Sequence, residues 1–113
     1  GPKMKIQNID MTRFHASWRG HHVQTILSKH SLTVEPFMAE IRATVLRALE
    51  GVGPNERCTA KLLCGPELWA SYGANSVKQC AGMCLSYLVL IRALPLRVHV
   101  TPKGKGTKRY FLP

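Results

Sequence analysis

The sequence predicts an α+β fold that is mainly helical, with three main helices and a C-terminal β-hairpin. Two observations support this class: apolar residues recur at helical spacing between residues 34 and 93, and the period changes to two after Pro95. A chain of 113 residues with 45% hydrophobic content is long enough for one packed core. We expect residues 34–113 to form this domain and residues 4–33 to form a basic arm or accessory segment. Residues 1–3 precede Met4 and resemble the remnant of a protease site.

The N-terminal segment shows little periodicity. Residues 23–27 are sufficient for one or two helical turns, and the rest mixes aromatic, His and Arg side chains without a clear pattern. Basic residues here either extend a cationic surface or pack over the first main helix.

The first main helix is predicted to begin at Glu35-Pro36. Proline is tolerated at a helix start, and a carboxylate there faces the positive end of the helix dipole. Five apolar residues at helical spacing form its inward face: Phe37, Ile41, Val45, Leu49 and Val52. Glycine and proline at residues 51–54 end the helix.

The second helix is predicted to begin at Asn55 or Glu56 and to reach about Cys64. Its inward residues would be Cys58, Leu62 and Leu63. Gly65-Pro66 interrupts the helical pattern. A further helical turn is predicted over residues 67–72.

The third helix is predicted over residues 75–93, with Asn75 or Ser76 as its N-cap. Its apolar face comprises Val77, Cys80, Ala81, Cys84, Leu85, Leu88 and Ile91. The residues that the core does not need are Asn75, Ser76, Lys78, Gln79, Met83 and Ser86. This second set contains no Asp or Glu, although a merely solvated helix face commonly carries some.

Two strands with a turn between them are predicted after Pro95. Leu96, Val98 and Val100 alternate with polar residues, and a Gly-containing turn at residues 102–106 leads to a returning strand at residues 108–112. Lysine and arginine crowd this turn. A charged hairpin can grip a polyanion, or it can simply protect an edge strand from aggregation.

The net charge of +10 is concentrated at the two ends of the chain. Residues 1–33 carry +4, residues 34–73 carry −1, and residues 74–113 carry +7 with no acid after Glu67. Such one-sided charge favours binding to a phosphate polymer, and the alternative is a surface that only provides solubility.

Four cysteines and a group of histidines raise the question of a metal or a catalytic site. Cys80 and Cys84 are four residues apart in an apolar helix, which favours buried core thiols over zinc ligands or disulfides. His15, His21, His22 and His30 have Asp10 as the single acid near them, too few carboxylates for a metal nuclease. We therefore expect no metal, no cofactor and no enzymatic activity.

In its order of elements, the chain resembles the winged helix-turn-helix superfamily over about residues 34–113. The matching pieces are residues 37–49, 59–64, 75–79, 85–91 and 101–109. The Gly65-Pro66 interruption departs from the tight turn of the simplest members. The resemblance implies a DNA-binding protein, a small transcriptional regulator that inserts helix 75–93 into the major groove and sets the hairpin, or wing, on the backbone.

The residues predicted to contact double-stranded DNA lie on the third helix, on the wing and in the N-terminal segment. They are Asn75, Ser76, Lys78, Gln79, Met83, Lys103, Lys105, Thr107, Lys108, Arg109 and Arg19. The alternatives are a protein-interaction module and an RNA-binding module. A homodimer is possible, no membrane partner is expected, and an intracellular location, cytoplasmic, nucleoid or nuclear, follows from the lack of a visible signal peptide or long apolar run.

Overall fold

The structure is a computed structural model that describes residues 9–99 and 107–113. Predictions that fall on residues 1–8 and 100–106, including the scar, the hairpin turn, Lys103 and Lys105, lie outside these ranges. The described residues form α1 (Met11–Ala16), α2 (Trp18–Lys29), α3 (Val34–Ala48), β1 (Cys58–Thr59), α4 (Ala60–Ser71), α5 (Asn75–Leu90), β2 (Arg97–His99) and β3 (Arg109–Phe111). A 3-10 turn, Leu49–Gly51, follows α3. The mainly helical α+β class is confirmed, but five α-helices are present in these ranges rather than three.

The two additional helices lie in the segment where the sequence showed little periodicity. The Asp10 side chain caps α1 by accepting a hydrogen bond from the Arg13 backbone N–H at 3.1 Å. Ser17 ends α1 and also caps α2, because its hydroxyl accepts from the Gly20 N–H at 3.0 Å. Both helices contribute to the same hydrophobic cluster as the rest of the chain, through Phe14, Val23 and Leu27.

The α3 helix agrees with the predicted first main helix. Phe37, Ile41, Val45 and Leu49 are buried as expected, and Val52 is half-buried. The helix packs against both α4 and α5. The Arg42 Nε donates to the Ala93 carbonyl at 3.0 Å, which ties α3 to the segment that follows α5.

The predicted start of the second helix is wrong, because Cys58 and Thr59 form a strand instead. They pair with Tyr110 and Arg109 of β3. The Thr59 hydroxyl then accepts from the Leu62 N–H at 3.2 Å and so caps the helix that begins at Ala60. Tertiary pairing with a distant strand therefore decides where α4 starts.

The predicted interruption of this helix appears as a kink inside α4. Gly65 has φ +82° and ψ 162°, a conformation that glycine adopts without a Cβ penalty, and Pro66 follows it. Leu63 is buried as predicted, but Leu62 is 59% exposed, which contradicts its predicted inward position. With Cys58 in a strand and not in the helix, the buried face of α4 is formed by Leu63 and Cys64.

The α5 helix carries the apolar face predicted for the third helix. Six side chains on this face are buried: Val77, Cys80, Ala81, Cys84, Leu85 and Leu88. Its N-cap is Ala74, with no side-chain hydrogen bond among the described residues, so the predicted cap by Asn75 or Ser76 is wrong. The helix ends at Leu90 rather than residue 93, since Arg92 has φ +62° and the Ala93 N–H bonds to the Leu88 carbonyl at 2.8 Å. Although α5 has 16 residues, neither it nor any other helix within the described ranges is long and apolar enough to cross a bilayer.

The three strands form an antiparallel sheet in the order β1-β3-β2. The two predicted hairpin strands pair in register, with Val98 opposite Tyr110. Tyr110, on the central strand, is buried, and so is Leu96. Val98 is 41% exposed, so the predicted alternation does not hold at that position.

Candidate nucleic-acid interface

The polar face of α5 forms the floor of a broad concave surface. Because its apolar face is buried in the core, the opposite side of the helix is turned outward. Six residues of this side line a groove of about 770 Å³: Asn75, Lys78, Gln79, Gly82, Met83 and Ser86. Their spacing of three and four places them along one side of the helix. We call this concave surface the α5 groove.

Three other segments complete the lining of the α5 groove. The start of α4 and its second half contribute Ala60, Lys61 and Trp69. The end of the chain contributes Thr107, Lys108 and Tyr110, and the start of α2 contributes Trp18 and Arg19. The groove is thus built from four segments of the chain.

The charge of the α5 groove is of one sign. Four cationic side chains line it, namely Arg19, Lys61, Lys78 and Lys108, and the described residues of its lining include no Asp or Glu. A cleft lined by charges of one sign concentrates its field and attracts ligands of the opposite charge. The positive charge of the groove therefore favours an anionic ligand. Because the groove runs along a helix, it favours an extended ligand.

The base of the hairpin is attached to α5 at the groove. The Lys108 Nζ donates a hydrogen bond to the Ser86 hydroxyl at 3.1 Å. Next to it, the buried Tyr110 lies on the central strand of the sheet. These contacts hold the described part of the hairpin against the helix, so both belong to one surface.

The exposed part of the helix face is its N-terminal half. Asn75 and Gln79 are exposed, whereas Lys78, Gly82, Met83 and Ser86 are half-buried. Met83 also packs against the hydrophobic core. A rigid ligand such as a duplex would reach Asn75 and Gln79 before it reached the recessed half.

Seven of the eleven residues predicted to contact DNA line the α5 groove. They are Arg19, Asn75, Lys78, Gln79, Met83, Thr107 and Lys108. Ser76 and Arg109 are not part of this lining, although Arg109 is exposed on β3. Lys103 and Lys105 lie outside the described residues.

Seven residues of the groove lining were not among the predicted contacts: Trp18, Ala60, Lys61, Trp69, Gly82, Ser86 and Tyr110. Lys61 and Trp69 lie on α4, and no local pattern marks them, because only the packing of α4 beside α5 brings them to the groove. Trp18 lies in the segment without clear periodicity. The sequence signal for Trp18 as a groove residue was its place beside Arg19 in a stretch with aromatic and basic residues.

The four cysteines are free and buried, as predicted for core thiols. Burial raises the pKa of the Cys64 thiol to about 11 and also raises the pKa of Cys84, so both are protonated at neutral pH. Among residues 9–99 and 107–113, no group of three or more His, Cys, Asp or Glu side chains is arranged to hold a metal ion.

Comparisons with known proteins give no relative for this chain: no family model, no curated protein and no solved structure matches it.

Proposed function

We propose that the chain is a sequence-specific double-stranded DNA-binding protein of winged-helix type, a small transcriptional regulator in which α5 enters the major groove and the hairpin contacts the backbone. The observation that carries this proposal is the α5 groove. Its four cations, without an acid in the described lining, surround a helix face that offers hydrogen-bonding side chains. Cations attract the phosphates, and the amide side chains can read base edges.

The order of elements supports the winged-helix assignment. A helix (α3), a shorter kinked helix (α4), a longer helix (α5) and an antiparallel pair (β2 and β3) follow one another in the chain. The added strand β1 joins the start of α4 to the hairpin through its pairing with β3. Helix face and hairpin base therefore lie on one surface, as binding across adjacent DNA grooves requires.

In this proposal, recognition of the DNA base sequence depends on side chains in the first two turns of α5. Asn75 and Gln79 are one helical turn apart and exposed, and their amides can form paired hydrogen bonds with adenine. Lys78, between them, can contact guanine or a phosphate. Selection of bound sequences from a random duplex pool tests this reading. Gln79→Ala should change the preferred base at one position, by about 1–3 kcal/mol of discrimination.

Salt titration is the direct test of duplex binding. If each of the four groove cations neutralises one phosphate, the logarithm of the association constant should fall against the logarithm of salt concentration with a slope of about −3.6. Fluorescence anisotropy of a labelled duplex gives this slope. Lys78→Gln and Lys108→Gln should each weaken binding and reduce the slope by about 1.

Lys29→Gln is the matched control. It removes the same charge from the exposed C-terminal end of α2, outside the α5 groove. If Lys29→Gln weakens binding as much as Lys108→Gln, the cations act only through net charge and the docking geometry is wrong. Dissociation constants weaker than about 10⁻⁴ M in low salt would exclude duplex DNA. Tighter binding to RNA, or capture of an acidic protein in place of DNA, would select one of the two alternative functions.

A homodimer on a two-fold symmetric site stays a prediction. Leu90 is 70% exposed at the end of α5 and lies near Val98, a second exposed apolar residue. Sedimentation of the protein with and without its selected site would give the oligomeric state.

A further inference from the structure

Trp18 is an exposed aromatic side chain at the turn between α1 and α2. It is the first residue of α2 and 68% exposed. The preceding Ser17 fixes the turn, because its hydroxyl donates to the Phe14 carbonyl at 2.7 Å and accepts from the Gly20 N–H at 3.0 Å. The indole therefore stands out from a backbone whose position is held by α1 and α2 together.

Two concave surfaces meet at this indole. One is the α5 groove, and the other is a smaller hollow of about 290 Å³ that we call the Trp18 hollow. Phe14, Tyr87 and Leu90 line only the Trp18 hollow, whereas Met83 lines both surfaces. The hollow is mostly apolar, and it opens beside a groove that is cationic.

The side chains around Trp18 fit a single nucleotide. The faces of a base are apolar and planar and stack on aromatic rings, while the phosphate attached to it needs a cation. Arg19 supplies that cation: its guanidinium carbon lies over one face of the indole ring, 5.4 Å from the centre, so a base would stack on the opposite face. Arg13 also lines the hollow, and the described residues of its lining include no acid. The charge of the site is complementary to a nucleic-acid strand.

We propose that Trp18 stacks an unpaired base of DNA, and that the preferred substrate is a duplex with a short single-stranded overhang, whose duplex part occupies the α5 groove. The inference rests on the proposed duplex binding and adds the class of DNA that is bound. A paired base must leave the helical stack before it can reach the indole, which costs free energy. A base in an overhang is already available.

The expected result is a gain in affinity that depends on the base and on Trp18. Stacking of one base on an aromatic side chain corresponds to an affinity gain of about 5- to 150-fold. The full chain should thus bind an overhang duplex more tightly than the blunt duplex by about this factor. A duplex whose overhang contains abasic sugars carries the same phosphates without bases, and it should show little of the gain.

Trp18→Ala should remove the gain, and Trp18→Phe should retain most of it. Leu62→Ala is the control, since Leu62 is similarly exposed, at 59%, and lines neither concave surface as the described residues define them. The chain has two tryptophans, so the Trp69→Phe variant leaves Trp18 as the single indole. In that background, the overhang should quench indole fluorescence more than the abasic overhang does.

The outcomes separate the two proposals. Equal affinities for the normal and the abasic overhang, or a gain that survives in Trp18→Ala, would overturn the stacking inference while blunt-duplex binding still supports the proposed function. Failure to bind any of the three duplexes would overturn the proposed function. Binding of a free single strand without binding of the blunt duplex would also overturn the proposed function. It would equally overturn the inference that a duplex with an overhang is the preferred substrate. A thermal melt of each variant checks that the exposed substitutions leave the fold intact.

Discussion

At the scale of single residues, burial sets the acid–base chemistry of the Cys64 and Tyr72 side chains. Cys64 and Tyr72 lie beside each other, close enough to influence each other's ionisation. Burial raises the pKa of both groups. Both groups favour the protonated form. The Cys64 thiol is therefore a poor nucleophile and a poor metal ligand at neutral pH.

The raised pKa of Cys64 predicts a loss of stability in alkali. The folded chain keeps the thiol proton up to about pH 11, whereas the unfolded chain releases it near the ordinary value of 9.0. The stabilisation is therefore complete below pH 9 and is lost as the pH rises towards 11, by about 2 kcal/mol. Urea unfolding at several pH values measures this loss. Cys64→Ala should show a shallower decline over the same range, and an identical decline would assign it to other groups.

At the scale of secondary-structure elements, close contact between α1 and α2 places the Trp18 turn. A Cβ built at Gly20 would overlap the carbonyl oxygen of Phe14, so the two helices can approach this closely only with glycine there. The contact also buries Phe14 against Tyr87 of α5, with ring centres 4.8 Å apart. The position of Trp18 thus depends on the absence of a side chain at Gly20.

Gly20→Ala should destabilise the protein by about 2–3 kcal/mol, because backbone atoms must move to make room for the methyl group. Thermal or urea unfolding measures the effect. Ser28→Ala changes an exposed residue of the same helix and should alter stability by less than about 0.5 kcal/mol. Equal stability of Gly20→Ala and the unmodified chain would mean that α1 and α2 do not pack as described.

The α5 helix carries a second informative glycine, in the floor of the groove. A Cβ at Gly82 meets nothing within 4 Å, so Gly82→Ala should raise the free energy of unfolding by about 1 kcal/mol. The same methyl group projects into the space where DNA would lie, and we expect duplex affinity to fall several-fold. Gly51→Ala is the matched control, because it also has open space but lies outside the groove. A stabilised Gly82→Ala variant with unchanged affinity would show that DNA does not reach the middle of α5.

At the scale of the whole molecule, the N-terminal helices and the remaining elements share one core. Phe14, Val23 and Leu27 are each no more than 1% exposed and belong to the cluster that α3, α4 and α5 form. The division at residue 34 stays a prediction. The shared core, however, leads us to expect that residues 34–113 fold poorly without the helices before them.

Removal of residues 1–33 would expose the surface that these three side chains cover. Their burial contributes about 5–9 kcal/mol, which is comparable to the total stability of a domain. We expect the fragment 34–113 to lack a cooperative thermal transition in calorimetry, whereas the full chain shows one. A fragment that melts cooperatively near the temperature of the full chain would identify residues 34–113 as an independent domain.

The parts of the fold that the sequence could predict are those with local signals. The α3 residues Phe37 to Leu49 and the apolar face of α5 have clear helical periodicity, and most of the groove floor follows as the opposite face of α5. The strand Cys58–Thr59 has no such signal, because its pairing with β3 determines it. Phe14 and Val23 are core residues for the same kind of reason: they meet the core only after two short helices have turned back on each other.

The pairing of β3 on both of its edges has a practical consequence for engineering. β1 and β2 hold this strand on either side, and Lys108 attaches its beginning to α5. The residues on either side of residues 100–106 are therefore held by strand pairing and by the Lys108 hydrogen bond. Segments of other lengths and compositions can replace residues 100–106 at a small entropic cost, since each doubling of the length of a connection costs only about 0.6 kcal/mol. The chain thus offers a scaffold on which the reach of the hairpin can be changed while the helix beside it stays in place.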